Sequence, residues 1–219
     1  MKLVPILAIL PLLFASCREE CRNIPGGYEF VLPAELSPAR DTFRIGDTIR
    51  VVSSFSDEVF ERKTQRIYTL EDFRFHPVTV ISKIDVTSAK EDGLKSFDIL
   101  IAPEFDYHVQ LYNDAIELLG QYLYERGEYL LEYRLVAKEI GLFFFKQGSL
   151  LYPLDEWQKF PGKKCKHVHA EARVTLNGGA DNNIDFLRES PDPHYRDWVL
   201  QDPEGRFHKF GGYCFYVRE

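Results

Sequence analysis

Three side chains that commonly bind zinc lie close together in the last third of the sequence. His167, His169 and Glu171 alternate with other residues, so on a strand they would share one face, together with Cys165. Imidazole, carboxylate and thiolate groups are the usual zinc ligands in proteins. No distant fourth ligand accompanies them, however, and exposed strand faces are routinely polar. An ordinary polar strand face is therefore the preferred interpretation, with a metal site as the alternative.

A second stretch of the sequence carries side-chain oxygen atoms that could bind calcium. Asp181, Asn183 and Asp185 match the first, third and fifth positions of a calcium-binding loop, and Asp192 stands at the twelfth. The sixth position is Phe186 where the loop needs glycine, and the twelfth lacks the bidentate glutamate. Capping of a short helix by Asp181 or Asn182 explains this stretch better.

Nucleophilic catalysis has little support in the sequence. There is no Gly-x-Ser-x-Gly motif and no glycine-rich phosphate loop. Paired carboxylates such as Glu71-Asp72 and Asp155-Glu156 are typical of the solvated surface of an acidic protein. We therefore predict a protein that is not an enzyme and that needs no cofactor.

Aromatic residues in predicted loops are the main candidates for binding. Trp157, Trp198 and Tyr152 lie outside the alternating segments. Flat rings supply contact area at low entropic cost, which suits a sugar ring or a partner protein. The alternative is that these rings pack beneath the long C-terminal loops. The formal net charge of −7 argues against nucleic acid as a partner.

The first residues have the organisation of a secretory signal peptide. Lys2 supplies a positive start, and residues 3–14 form an apolar run that is too short to span a bilayer. Small residues, Ala15 and Ser16, then precede Cys17. An ordinary signal peptide followed by a disulfide cysteine would also fit this pattern.

The sequence Phe14-Ala15-Ser16-Cys17 resembles the lipobox of bacterial lipoproteins. The resemblance implies that Cys17 is acylated and becomes the first residue of a mature protein anchored in the outer membrane. Several acyl chains would hold it stably, since each buried methylene contributes about 0.8 kcal/mol. The following Arg18-Glu19-Glu20 is similar to a surface-export signal, although a solvated tether facing the periplasm remains open.

Acylation of Cys17 would leave three of the four cysteines for other roles. Cys165 and Cys214 belong to predicted strands, whereas Cys21 lies in the predicted tether. In an oxidising compartment we therefore expect a disulfide between Cys165 and Cys214, with Cys21 free or transiently bridged.

Alternation of apolar and polar residues predicts a mainly β fold. It is clearest from Glu128 to Ala137, where every second residue from Tyr129 onward is apolar. Leu142 to Phe145 is apolar on both faces, which indicates a central strand. Between His76 and Val86 the alternation places Val78 and Val80 inward and Thr79 outward. Other strands are predicted around residues 28–32, 49–53, 66–70, 97–101, 105–111, 165–176 and 213–217. The segment from Asn113 to Glu125 fits either a short helix or a long corner.

Two motifs resemble immunoglobulin-like domains. Residues 46–53 are similar to the start of the second strand of such domains, and residues 125–131, including Tyr129, to their tyrosine corner. Ser53 and Leu131 would then occupy the positions of the paired cysteines of antibodies. The resemblance implies an antiparallel immunoglobulin-like β-sandwich with one or two short C-terminal helices.

The predicted organisation is a signal peptide at residues 1–16, a lipidated tether at 17–27 and a β-sandwich domain at 28–219. A boundary within the domain at 148–162 remains open. The predicted function is binding of a glycan or protein ligand by an envelope lipoprotein. A structural or assembly factor of the outer membrane is the alternative, and a metal-dependent hydrolase is a third hypothesis.

Overall fold

The computed structural model describes residues 27–112, 115–151 and 170–219, and these form mainly β structure. The strands in chain order are β1 (Tyr28–Ser37), β2 (Thr42–Arg44), β3 (Thr48–Ser56), β4 (Glu58–Glu61), β5 (Arg66–Thr69), β6 (His76–Lys83), β7 (Phe97–Ile101), β8 (Tyr107–Tyr112), β9 (Ala115–Gly120), β10 (Leu123–Glu125), β11 (Glu128–Ala137), β12 (Gly141–Leu150), β13 (Ala170–Leu176) and β14 (Tyr213–Arg218). Short helical segments lie at Gly93–Ser96, Asn177–Gly179, Ile184–Glu189, His194–Val199 and Glu204–His208.

The strands form two sheets that pack as a sandwich. The first sheet contains β10, β11, β3, β1, β4 and β5 in that order, with β13 paired to β1 and β7 paired to β11. The second sheet has the order β2, β14, β12, β6, β9 and β8. Most neighbours are antiparallel, but β1–β13 and β14–β2 are parallel pairs. The expectation of a mainly β sandwich is confirmed at this level, but four short helical segments follow β13 where one or two helices were expected.

The apolar core lies between the sheets, and β12 separates it from a second, smaller core. Phe143 and Phe145 enter the main core, while Leu142 and Phe144 point to the opposite face of β12. There they contact the C-terminal helical segments through residues such as Phe207. The prediction that this strand is covered on both faces is confirmed.

The correspondence with antibody cysteine positions is wrong. β11 and β12 follow each other in sequence, but the turn between them carries the chain from the first sheet to the second. Ser53 and Leu131 are direct partners within the first sheet, whereas antibody cysteines connect the two sheets. Tyr129 does bond back to the backbone: its hydroxyl donates to the carbonyl of Leu70 and accepts from the amide of Phe73. Its partners lie in the loop before β6 and not in the turn that precedes Tyr129.

Three local expectations also fail. The Asn113–Glu125 segment contributes β9 and β10 and not a helix or a long corner. Strand β1 continues past Pro33 as far as Ser37. Pro33 is tolerated because it has no amide hydrogen to leave unpaired, while its carbonyl accepts the Ser53 hydroxyl at 2.6 Å. Strand β4 lies at Glu58–Glu61, where the sequence predicted no strand.

A buried polar network lies inside the sandwich. It contains Thr79 of β6, which the alternation had predicted to face outward. Thr79 is fully buried, and its hydroxyl lies 2.6 Å from that of Tyr107 and 2.5 Å from that of Tyr133. It also donates to Oε1 of Gln147 at 2.7 Å. We call these four residues the Thr79 network. Burial raises the pKa of the Tyr107 and Tyr133 hydroxyls, so both stay protonated donors.

We predict that Thr79→Val destabilises the protein by about 1–3 kcal/mol, because it keeps the side-chain shape but leaves buried tyrosine hydroxyls with one partner fewer. Urea unfolding at neutral pH would measure the change in the free energy of unfolding. Thr48→Val, on the exposed face of β3, is the matched control and should change that free energy by less than about 0.5 kcal/mol. Equal effects of the two substitutions would contradict the role assigned to the network.

Candidate functional site

A polar cleft opens on the outer face of the first sheet. Its volume is about 420 Å³, and it is bounded by the ends of β4 and β13 and by the Glu204–His208 segment. Its polar and aromatic lining residues are Phe60, Arg62, Arg173, Thr175, Asn182, Glu204 and His208, and we call it the arginine cleft. A volume of this size is in the range of small-molecule binding sites.

Alternation along β13 places Arg173 in the arginine cleft. Ala172 and Val174 point into the main core, so Arg173 between them faces outward. The parallel pairing of β13 with β1 sets Arg173 opposite Val31 and brings it to the side chain of Glu29. Although it faces outward, Arg173 is 8% exposed, because neighbouring segments cover it.

Glu29 organises the charges of the cleft. One carboxylate oxygen accepts from Arg173 Nε at 3.0 Å, and the other accepts from Arg62 Nη1 at 3.0 Å. Burial alone would raise the pKa of Glu29, but the hydrogen bonds and charges of Arg173 and Arg62 outweigh it and lower that pKa. Glu29 is therefore ionised at neutral pH and holds both guanidinium groups in place.

A second buried carboxylate fixes the turn that carries Arg62. Glu61 has no exposed surface and accepts backbone hydrogen bonds from Glu29 at 2.8 Å, Lys63 at 3.0 Å and Thr64 at 2.6 Å. Burial acts to raise the pKa of Glu61, but these hydrogen bonds and that of the Thr64 hydroxyl lower it overall. The turn between β4 and β5 is thus fastened to β1, which limits the movement of Arg62.

The far side of the cleft comes from the C-terminal region. Arg173 Nη1 donates to Glu204 at 2.7 Å. The chain just after this segment links the two sheets, because the Val174 amide donates to the Lys209 carbonyl and the Gln147 amide to the Phe210 carbonyl. The helical segment with Glu204 is therefore held against β13.

The chemistry of the arginine cleft suits recognition of an anionic group. Guanidinium groups bind carboxylates and phosphates with directed, charge-assisted hydrogen bonds. Phe60 is 39% exposed at the rim and offers a flat apolar surface. The arrangement can bind and orient a ligand, and its carboxylates are engaged by arginines or backbone amides.

A larger groove of about 620 Å³ runs along β7 and β11. Leu100 and Leu130 contribute apolar surface, and Glu132 lies between them. Glu132 pairs with Arg50 at 2.6 Å, and the exposed side-chain fractions of these residues are 26% and 47%. The side chains of Glu29 and Arg173 are only 6% and 10% exposed. Desolvated charges are held more firmly than solvated ones, so the arginine cleft is the stronger candidate.

The structure describes only one member of the predicted zinc set. The carboxylate of Glu171 lies 2.9 Å from Lys209 Nζ and 3.9 Å from Lys63 Nζ. His167, His169 and Cys165 lie outside the described residues. Among the residues that are described, no group of three or more His, Cys, Asp or Glu side chains is placed to hold a metal ion. The zinc hypothesis stays a prediction.

The residues that mimic a calcium loop have separate partners. Asn183 donates its side-chain amide to the carbonyl of Cys214 at 2.9 Å, and Asp185 pairs with Arg188 at 3.0 Å. Asp192 accepts from the amides of Ala89 and His194. A helical segment does follow at Ile184–Glu189, but it has no side-chain cap, so the predicted capping by Asp181 or Asn182 is wrong. These polar side chains tie the loop to its neighbours instead.

Trp198 is the one predicted binding aromatic that the structure describes, since Tyr152 and Trp157 lie outside the described residues. Its side chain is 46% exposed. The guanidinium carbon of Arg206 lies 3.9 Å from the ring centroid, and the His194 ring stacks at 4.7 Å. Part of the indole surface that a sugar would need is therefore already covered.

Cys214 is a free thiol in the structure, whereas the sequence suggested a disulfide with Cys165. Its side chain is fully buried in the second core, and this burial raises the pKa of the thiol. Cys165 and Cys17 lie outside the described residues. The pairing and the acylation therefore stay predictions.

Sequence reasoning missed the residues of the arginine cleft. Glu29 and Arg173 lie 144 positions apart, and only the parallel pairing of β1 with β13 brings them together. The available signal was a pair of opposite charges at outward positions of two predicted strands. Such pairs are common on surfaces, so this signal alone could not mark a site.

Within the part of the chain that the structure describes, no helix is both long and apolar enough to cross a membrane.

The chain matches no protein-family model and no curated protein. Among solved structures, it is similar to the reeler domain of human F-spondin, with 14% identity over 61% of this chain and 81% of that one, at a TM-score of 0.34. It is also similar to AvmM, which catalyses macrocyclization in alchivemycin A biosynthesis, with 13% identity over 90% of this chain and 95% of that one, at a TM-score of 0.34. Similarities of this strength assign no function to the chain.

We predict that Glu29→Gln lowers the free energy of unfolding by about 3 kcal/mol at pH 7, because it removes the buried charged partner of Arg173 and leaves this guanidinium only the exposed carboxylate of Glu204. The pKa of Glu29 is depressed in the folded state, so its contribution is present above pH 4.5, the ordinary value, and is lost as pH falls below it. Denaturant unfolding between pH 7 and pH 3 should give a shallower acid decline for this variant. Some decline should remain, because Glu61 still titrates.

Glu35→Gln provides the control for this experiment. Glu35 lies on the same strand but is exposed, so the substitution should leave both the stability at pH 7 and its acid decline nearly unchanged. Parallel acid declines for the wild type and Glu29→Gln would contradict the role assigned to Glu29.

Proposed function

We propose that the chain is a lipid-anchored protein of the bacterial cell envelope that binds a ligand without chemically changing it. The arginine cleft is the observation that carries this proposal, because its two guanidinium groups are fixed in advance by buried carboxylates. Preorganised charges reduce the cost of binding, since little side-chain freedom remains to be lost. The ligand is a glycan or a protein segment with an anionic group.

The anchor is proposed from the N-terminal sequence. The lipobox resemblance at Phe14-Ala15-Ser16-Cys17 supports acylation of Cys17, and the tether at residues 17–27 would link the lipid to β1. The protein would then reside at the outer membrane, facing either the periplasm or the cell surface. Palmitate is the expected class of acyl group.

We also propose that the sandwich is immunoglobulin-like in its strand order. The order β7-β11-β3-β1 of the first sheet corresponds to strands D, E, B and A, and β6-β12-β14 of the second corresponds to C, F and G. In this assignment, β12 takes the place of strand F, whereas the tyrosine-corner resemblance of residues 125–131 implied that β11 would be strand F. Loops at the ends of such sandwiches commonly carry binding residues, which keeps Tyr152 and Trp157 as candidates.

A structural or assembly factor is the alternative function. Val109 and Leu111 are 54% and 72% exposed on β8, which is an edge strand of the second sheet. Exposed edge strands with apolar side chains can pair with a strand of another protein. A partner in the outer membrane would fit this surface.

We predict that Cys17→Ala abolishes incorporation of a clickable palmitate analogue and releases the protein from the membrane fraction. The measurement is in-gel fluorescence after metabolic labelling, together with fractionation of the cells. Cys21→Ala is the matched control and should leave labelling unchanged. Labelling that survives Cys17→Ala would contradict the anchor, and protease treatment of intact cells would distinguish the two orientations.

We predict that Arg62→Gln weakens ligand binding at least tenfold, because a charge-assisted hydrogen bond contributes about 1.5–3 kcal/mol. A glycan array followed by calorimetry, with the full chain in detergent, would identify the ligand and measure its affinity. Arg134→Gln is the matched control, because Arg134 is similarly exposed on the outer face of the same sheet. Ligands that bind both variants as tightly as the wild type would show that the arginine cleft is not the binding site.

A further inference from the structure

We propose that the arginine cleft binds an acidic sugar of the uronic acid class, and that Glu204 holds the place of the sugar carboxylate on Arg173. This inference rests on the proposed function, because it takes the cleft to be the binding site. It adds the chemical class of the ligand and an internal competitor for it.

The two acidic partners of Arg173 differ strongly in burial. Its Nε donates to Glu29, whose side chain is 6% exposed, while its Nη1 donates to Glu204, whose side chain is 61% exposed. Breaking the contact with Glu29 would leave a buried charge unpaired, at a high cost. Breaking the contact with Glu204 returns an exposed carboxylate to water, at a low cost. Arg173 thus has one permanent partner and one exchangeable partner.

The backbone around Glu204 is held independently of this ion pair. The Glu204 carbonyl accepts from the amide of Lys209 at 3.0 Å, and the amide of Gly205 donates to Asp202 at 3.0 Å. Release of the Glu204 side chain therefore needs only a rotamer change. Such changes at exposed residues take place within nanoseconds, so the competitor would not slow binding.

The local charge balance favours a ligand with one negative charge. Around the cleft, four acidic side chains face four basic ones: Glu29, Glu61, Glu171 and Glu204 with Arg62, Lys63, Arg173 and Lys209. When Glu204 swings into water, a ligand carboxylate on Arg173 replaces the charge that has left. A neutral ligand would leave the guanidinium edge without a charged partner, which disfavours it.

A uronic acid combines the two groups that the cleft is equipped to meet. The carboxylate matches the planar guanidinium donors of Arg173 and Arg62. The pyranose ring offers a C–H face that packs on an aromatic ring, and Phe60 is exposed at the rim. Thr175 and His208 add a hydroxyl and an imidazole that can bond to sugar hydroxyls.

Calorimetry on the full chain in detergent tests the proposal with three probes: a galacturonic acid trisaccharide, its methyl ester and a glucuronate-containing hyaluronan tetrasaccharide. We expect at least one of the acidic sugars to bind the wild type, and the methyl ester to bind at least tenfold more weakly than its parent acid. Glu204→Gln should tighten binding of the acid about fivefold to tenfold, because it removes the competing charge, and should not improve binding of the ester.

Asp197→Asn is the control variant, because it removes the same charge from an exposed site in the neighbouring helical segment and should leave the affinity unchanged. In the wild type, the Arg173 and Arg62 Nε–H signals should shift in nuclear magnetic resonance spectra when the acidic sugar is added. This measurement depends on no variant.

Absence of binding to both acidic sugars, equal binding of the ester, or no gain with Glu204→Gln would overturn the acidic-sugar proposal. Tighter binding of N-acetyl-D-alanyl-D-alanine than of either sugar would also overturn it, in favour of a peptide carboxylate. These outcomes differ from failure of the proposed function, which would appear as a ligand whose affinity does not depend on Arg62.

Discussion

The ion pair between Glu29 and Arg173 is the constraint on which the organisation of the cleft depends. A carboxylate this deeply buried is tolerated only when partners replace its hydration, and Glu29 has two guanidinium groups for this purpose. These partners come from the turn after β4 and from β13, so one charged cluster joins residues that are up to 144 positions apart in sequence. The same contacts that stabilise this corner of the fold also fix the positions of the guanidinium groups toward solvent.

The central strand β12 explains how the C-terminal region reaches the cleft. Because β12 is apolar on both faces, one face completes the main core and the other supports a second core that includes Phe207. The ring of Phe207 stacks parallel to that of Phe144, with centroids 5.3 Å apart. Phe207 belongs to the same helical segment as Glu204. Packing on the second sheet thereby positions a charged group over the first.

Much of the strand pattern could be predicted from the sequence, because alternation is a local property. The bounds of β11 agree with the prediction, and both faces of β12 are covered as expected. Thr79 was assigned to the wrong face because a polar residue inside a core looks like an outward one unless its partners are known. Those partners, Tyr107, Tyr133 and Gln147, come from three other strands. Register and long-range pairing are set by contacts that local sequence does not record, and for the same reason the cleft was not predicted.

Exposed aromatic rings and fixed arginine side chains are two kinds of surface feature that can bind a ligand. An aromatic ring provides contact area for a ligand only if its faces are exposed. The ring of Trp198 is already stacked with Arg206 and His194. An arginine forms directed hydrogen bonds with a ligand, and it binds best when its guanidinium group is already fixed in position. Arg173 is fixed by the buried carboxylate of Glu29. Among the described residues, many aromatic rings lie within the core, as with Tyr129 packed between Phe55 and Phe75. Many of the rings therefore contribute to the packing of the core, while the features suited to recognition are charges fixed at its surface.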